Sequence, residues 1–355
     1  MEKIEILHQW PINVQEDWKH LFKPDKAYLK VDLKVKNLSN VFVNHYGLVL
    51  KYGFLVKGCA PNIGFSRYDE CKYFVHWKKA MEQKIVSKYG KSIQSETWED
   101  TTYLLIHSPW FSYYFWITEC MPRLLKVKDQ LDDLTLIYPE IWDNFTFVKE
   151  SLSLFPNLKI RKLKSDVHLR VKNLILPEVK PWTPMFIPEL VEEVRNFFFT
   201  KLDELGIQSP IDTDKVYISR SAAKRRKFDD EIKVEELLSK YGFGPVKMEE
   251  LSFFEQIALM RQTNLMTAIT GAGLINILFM ERGGKFLDLT NKEYKRKSQY
   301  KFHFFKLCNI LKVKYAVSFF STENDKEVEH WSNQNLNVNL ELLQKDLEIL
   351  IGDVK

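Results

Sequence analysis

Three groups of residues have types and spacings that could do chemistry. The first is the aromatic run 109–125, which holds Trp116 and a single carboxylate, Glu119, and ends at Pro122-Arg123. A carboxyl among aromatic rings is poorly hydrated, which raises its proton affinity and suits it to general-base work. With residues from 114 onward helical, Trp116, Glu119 and Arg123 fall at i, i+3 and i+7 on one face. The plainer reading is a core-facing aromatic helix with Glu119 paired to Arg123. His107, beside Ser108 at a strand end, is a reserve base. The second group is 215–227, with six cations (Lys215, Arg220, Lys224, Arg225, Arg226, Lys227) and no anion. Arg220 follows a strand, and an arginine at a strand's C-terminal end can fork onto phosphate oxygens. For Lys224 and Lys227 a solvated basic loop is the better reading. The third is Gly271-Ala272-Gly273-Leu274-Ile275-Asn276, directly after an apolar strand. A glycine turn feeding a helix N-terminus presents unpaired N–H groups that suit a phosphate or a sugar hydroxyl. It is neither GxGxxG nor a P-loop, and a plain tight turn is the alternative. Asp212 and Asp214 form a DxD, but before a strand, in a Pro-containing loop, and two oxygen donors read as turn chemistry and not as a metal site.

The elements that must position these groups are strands alternating with helices. Short apolar runs at 103–107, 134–138, 158–163, 173–177, 216–219, 244–248, 265–270, 285–289 and 315–319 predict strands. Helical spacing recurs at 188–205, 230–241, 252–262 and 274–280. That alternation predicts an α/β fold with parallel sheets covered on both faces. A chain of 355 residues suggests two domains. Three prolines within 177–184 mark a stiff connector, giving domains 1–183 and 184–335. Leucines 340, 343, 347 and 350 predict an amphipathic helix within 336–355. Residues 1–100 carry strand-like pieces at 41–43 and 48–50.

Composition excludes several classes. Cys59, Cys71, Cys120 and Cys308 form no CxxC pair, so reduced thiols are expected, as in a reducing compartment. The N-terminal ten residues lack a signal peptide's apolar run, and no stretch approaches 18 apolar residues, which points to a soluble, cytoplasmic protein. A formal net charge of +5, without a broad basic stripe, argues against a nucleic-acid partner.

Assembled in order, these residues resemble glycosyltransferase family 61, which includes bacterial capsular polysaccharide transferases and eukaryotic xylosyl- and N-acetylglucosaminyltransferases. The resemblance rests on Tyr113-Tyr114-Phe115-Trp116 and Met121-Pro122-Arg123-Leu124 in the first half. In the second it rests on Ser219-Arg220, Arg226, Asp230-Glu231, Gly242-Phe243, Leu251-Ser252, Glu255-Gln256, the glycine turn with Leu274 and Asn276, and Phe286-Leu287-Asp288. It implies a GT-B type fold, two facing Rossmann-like domains, here with a C-terminal helix. It also implies inverting, metal-independent transfer from a nucleotide-sugar donor, UDP-linked, to an oligosaccharide, polysaccharide or lipid-linked glycan acceptor. The setting would be capsular polysaccharide or lipopolysaccharide assembly, with peripheral contact at the inner face of the membrane. Under it, Arg220 and Arg226 with the turn Gly271, Ala272 and Gly273 neutralise the diphosphate, Asn276 and Asp288 meet sugar or ribose hydroxyls, and Arg225, Gln256 and Leu274 are further substrate-binding residues. Glu119 deprotonates the acceptor hydroxyl, Arg123 orients it or holds an acidic acceptor, and Trp116 is a further substrate-binding residue. Phe115 and Thr270 stand where the family pattern has His, which keeps open a second reading, a degenerate transferase-like binding or scaffold subunit.

Overall fold

A computed structural model describes residues 3–4, 9–22, 28–29, 32–52, 54–59, 94–179, 186–297, 302–322 and 333–352. The middle of the proline connector (180–185), Cys71, and residues 60–93 of the aromatic N-terminal region lie outside them. Contacts divide the chain into two units: Val31–Trp182 with Glu189–Val194, and Met1–Lys30 with Thr183–Pro188 and Arg195–Lys355.

The first unit is built on β1 (Val35–Val43), β2 (Val49–Lys51), β3 (Phe54–Leu55), β4 (Gln94–Leu104), β5 (Leu134–Pro139), β6 (Lys159–Leu163) and β7 (Val167–Pro177). They form one sheet in the order β3-β2-β1-β7-β4-β5-β6. Strands β7, β4, β5 and β6 run parallel, whereas β1 is antiparallel to both β7 and β2, and β2 to β3. The sheet is therefore mixed, a correction to the expected all-parallel pattern. The reason is local: a few residues join β1 to β2, enough for a hairpin but not for a crossover. Gly47 makes that turn at φ +76°, and a Cβ there would lie 2.4 Å from the His107 carbonyl oxygen. Buried Val41, Val43, Val49, Tyr103, Ile137, Leu169, Val171 and Leu174 form the core.

The second unit holds β8 (Lys215–Ile218), β9 (Gly244–Val246), β10 (Leu265–Ile269), β11 (Lys285–Asn291) and β12 (Lys314–Phe320). All pair in parallel, in the order β9-β8-β10-β11-β12. Helices α2 (Glu231–Ser239), α3 (Phe253–Gln262), α4 (His303–Leu311) and α5 (Leu340–Gly352) accompany it, with α1 (Pro188–Leu205) from Arg195 onward. Ser252 caps α3 through a capping box with Glu255. The leucines of α5 pack as expected, with Leu343, Leu347 and Leu350 buried beside Leu237, Leu265 and Phe320. Residues 9–22 also belong to this unit: Asn13 donates to the Val317 carbonyl and to Asp346, and Phe22 packs on Phe302 and Phe305. Strand order reverses between β8 and β10, whose C-terminal ends lie side by side. Open α/β sheets bind ligands at such a switch point, and here the two strands lead into Ser219-Arg220 and Thr270-Gly271.

Among the described residues no helix is long and apolar enough to cross a membrane.

Candidate active site

The switch point assembles the basic loop against the glycine turn. A Cβ on Gly271 would lie 3.6 Å from Arg226 Nη1, and one on Gly273 would meet nothing within 4 Å. The Arg226 guanidinium thus stands over a turn whose next face is open. Arg226 itself sits at φ +55°, a left-handed conformation that non-glycine residues adopt at a cost, often beside ligand sites. Arg220 pins it there, Nε donating to the Arg226 carbonyl (2.6 Å) and Nη2 to that of Arg225 (3.1 Å). Two of the Arg220 nitrogens thus hold loop carbonyls, whereas the Arg226 guanidinium lies against the glycine turn. Burial and the neighbouring Arg226 charge lower the proton affinity of Arg220. Among the described residues no carboxylate lies within ion-pair distance of either guanidinium. Two half-buried guanidiniums held together, neither in a direct ion pair, suit a dianionic ligand. The following helix, Ala272–Phe279, is 3₁₀ and not α, and its buried face takes Leu274 and Asn276 inward.

In the first unit, Glu119 lies in a helical run made of Tyr113–Phe115 (α), Trp116–Cys120 (π) and Met121–Leu125 (α). Pro122 has no N–H to donate to residue 118, and the helix widens just before it. Trp116, Glu119 and Arg123 therefore stand on a run of mixed helical pitch and not on the uniform α-helix expected. Trp116 is 2% exposed, donates to Ser151 Oγ (2.9 Å) and stacks edge-on with Trp142. Glu119 and Arg123 both address the stretch that leaves β4. Ser108 Oγ donates to Glu119 Oε2 at 2.5 Å, while Oε1 is buried with no partner. Burial pushes the Glu119 carboxyl up to about 7, against the weaker pull of Ser108 and Arg123. A carboxyl half-protonated near neutrality with one bare oxygen is equipped to take a proton.

Arg123 is fully buried and donates to the carbonyls of Leu105, Ile106, His107 and Pro177 at 2.5 to 3.0 Å. It ends β4 at Leu104, where the sequence pattern extends the strand to 107, and its donors are engaged with backbone and not offered to an acceptor. Arg123→Met leaves four buried carbonyls without these donors, and should lower unfolding free energy by at least about 3 kcal/mol, read from denaturant midpoints. Lysine, lacking the fork, should not rescue it. His107 Nε2 lies 3.1 Å from the His45 carbonyl oxygen, so Nε2 carries the proton and Nδ1 is left buried and unpartnered. Burial and the Arg123 charge hold this imidazole well below its usual range, neutral at physiological pH.

The sequence model of glycosyltransferase 61 matches residues 113–287. The chain belongs to glycosyltransferase family 61. No curated protein sequence matches it. The matched stretch of this glycosyltransferase begins at the helical run bearing Glu119 and ends in β11, so it includes the Arg226 loop and the glycine turn.

The remaining residues expected to face substrate divide differently. Arg225 is exposed and lends the site a carbonyl, as described above. Gln256 Nε2 donates to the Met248 and Leu251 carbonyls (2.8 and 3.2 Å), tying α3 to the preceding turn. Asp288 is buried, and Thr270 Oγ1 (2.6 Å) and Tyr315 OH (2.8 Å) donate to its two oxygens. Burial raises that carboxyl to about 6. Both oxygens already accept protein hydroxyls, so the geometry presents neither to a ribose. It also accounts for Thr270 in this family 61 chain: the hydroxyl reaches Asp288 directly. Asp214 precedes β8, at the strand end opposite Arg220, and accepts from Asn264 Nδ2 at 3.4 Å. Two side chains in contact with the candidate residues escaped the sequence reading, Ser108 on Glu119 and Glu231 on the Arg220 amide. Ser108 lies outside any helical face shared with Glu119, and Glu231 was one motif letter whose partners only the fold reveals.

Proposed function

We propose that this family 61 enzyme is an inverting, metal-independent transferase that moves a sugar from a nucleoside-diphosphate donor, UDP-linked, to a glycan hydroxyl. The observation that carries this reading is the Arg226 guanidinium set over Gly271 at the switch point of a parallel sheet. The family assignment and the buried Glu119 support it. In the reaction, Glu119 accepts the proton of the acceptor hydroxyl, and that oxygen attacks the anomeric carbon from the face opposite the diphosphate. The bond from the anomeric carbon to the phosphate oxygen breaks, and the nucleoside diphosphate leaves. Its growing charge is met by Arg226, Arg220 and the N–H groups at 271–273, cations and dipoles that take the part of a divalent metal. The unit holding Arg195–Lys355 is then the donor half of a GT-B enzyme, and the unit holding Val31–Trp182 the acceptor half. The acceptor is an oligosaccharide, a polysaccharide or a lipid-linked glycan, of the capsular or lipopolysaccharide kind, met at the inner face of the membrane.

Gly271→Ala tests the donor site at constant fold. The added methyl meets ordinary contacts at 3.6 and 3.8 Å, so thermal stability should stay near wild type. The methyl occupies the surface over which phosphate must approach, and affinity for UDP should fall at least about tenfold, about 1.4 kcal/mol. Calorimetric titration of nucleotide sugars checks both the wild type and the variant. Equal affinities would remove the glycine turn from the site, and no binding to the wild type by any donor would overturn the reading.

A further inference from the structure

The loop that carries both arginines, 219–230, has no regular ladder to hold it. One side chain closes it. Glu231, the first residue of α2, is buried, and its carboxylate accepts from both ends of the loop. Oε1 takes the Arg220 amide (3.0 Å) and the Tyr217 hydroxyl (2.5 Å), and Oε2 takes the Phe228 amide (3.1 Å). Ser219 Oγ, 3.4 Å from Oε1, donates more closely to Glu235 at 2.7 Å. On the far side the Lys227 amide donates to Asn335 Oδ1, the Leu336 amide to the Lys227 carbonyl, and the Asp229 amide to the Leu336 carbonyl. With Arg220 bound to the carbonyls of 225 and 226, residues 220–228 form a ring shut through a single carboxylate.

A negative charge beside an anion site is electrostatically adverse, so a carboxylate buried there calls for a compensating role. We propose that Glu231 is a positioning residue for donor binding: it does not touch the donor, but closes the 220–228 loop so that Arg226 already stands over Gly271 when the diphosphate arrives. The proposal rests on the reading of that loop as the diphosphate site. Preorganisation of this kind raises affinity by removing the ordering cost from the binding step.

Glu231→Gln separates this role from plain electrostatics, because the two predict opposite signs. Loss of a negative charge near two guanidiniums should tighten an anion. Loss of loop closure should weaken it, since an amide NH₂ cannot accept from a backbone N–H. UDP is titrated by calorimetry into wild type, Glu231→Gln, Arg226→Ala and the double variant at fixed ionic strength, with amide exchange followed in parallel. The expected result is roughly tenfold weaker UDP binding in Glu231→Gln, with faster exchange at 221–227 and unchanged exchange in β10. In the Arg226→Ala background the same change should have almost no further effect, the non-additivity of two groups acting as one. Tyr217→Phe, which removes one donor to Oε1, should shift affinity in the same direction by a smaller factor, and serves if Glu231→Gln does not fold. Wild-type or tighter UDP binding, unchanged loop exchange, or an equal loss without Arg226 would each overturn the proposal. Failure of the wild type to bind UDP or any other nucleoside diphosphate would overturn the underlying site as well, and is told apart by occurring before any substitution.

Discussion

Arg226→Ala should bind a nucleoside diphosphate about a hundredfold more weakly than wild type, about 2.7 kcal/mol, with its fold intact. The magnitude follows from the geometry. A half-buried guanidinium that no carboxylate neutralises can give two charge-assisted bonds to phosphate, each stronger than a neutral hydrogen bond. Its neighbour Arg220 is less free to do so, because two of its nitrogens already hold the loop carbonyls. Arg226→Lys should recover only part of the loss, since a point charge does not reproduce the fork. Arg225→Ala, at an exposed side chain, should cost far less, and that small effect should fade with salt. Titration of UDP into the three variants at two ionic strengths checks the ranking. A larger effect at Arg225 than at Arg226 would contradict it.

Glu119→Gln should keep donor affinity and lose transfer by about a thousandfold, the range for removal of a positioned general base. Wild-type transfer should rise with pH through about 7 as the carboxyl ionises, and the variant should lack that limb. Stability gives a second, independent reading. The folded-state value of about 7 lies above the ordinary carboxyl range, so the folded protein retains a proton that the unfolded chain has released. Stability therefore falls as pH rises from about 4.5 to about 7, and the whole penalty is present above that. Glutamine removes the penalty, and Glu119→Gln should be more stable than wild type at pH 8, by up to about 3 kcal/mol, with little difference at pH 4. Denaturant unfolding at the two pH values checks the sign. A variant less stable at pH 8 would mean that the carboxylate is a structural partner and not a strained base.

Much of the second unit was legible in the sequence. Apolar runs bounded by turn residues placed β8 to β12 within a residue or two of where they fold, because a strand buried on both faces leaves a continuous apolar stretch. The leucine period of α5 was equally plain. The first unit was less so. Periodicity shows which face of a strand is buried but not the direction of its neighbour, and the mixed sheet depends on the short turn through Gly47. The helical run from Tyr113 read as a single α-helical face because residue spacing assumes one period throughout. Only Pro122 hinted at the π turn. In the site, residue type and strand position pointed to the basic loop and the glycine turn. They could not tell which arginine stays free, since that depends on a left-handed residue at 226 and on carbonyls that turn inward. Asp288 shows the same limit: its partners, Thr270 and Tyr315, come from neighbouring strands.

The central claim is that the donor's diphosphate lies between Arg226 and the turn at 271–273. A crystal structure of the protein soaked with UDP tests it most directly. The account predicts diphosphate oxygens within hydrogen-bond reach of the Arg226 guanidinium and of the backbone N–H groups of Ala272 or Gly273. A nucleotide bound elsewhere on the molecule, with Arg226 and the turn unoccupied, would contradict it.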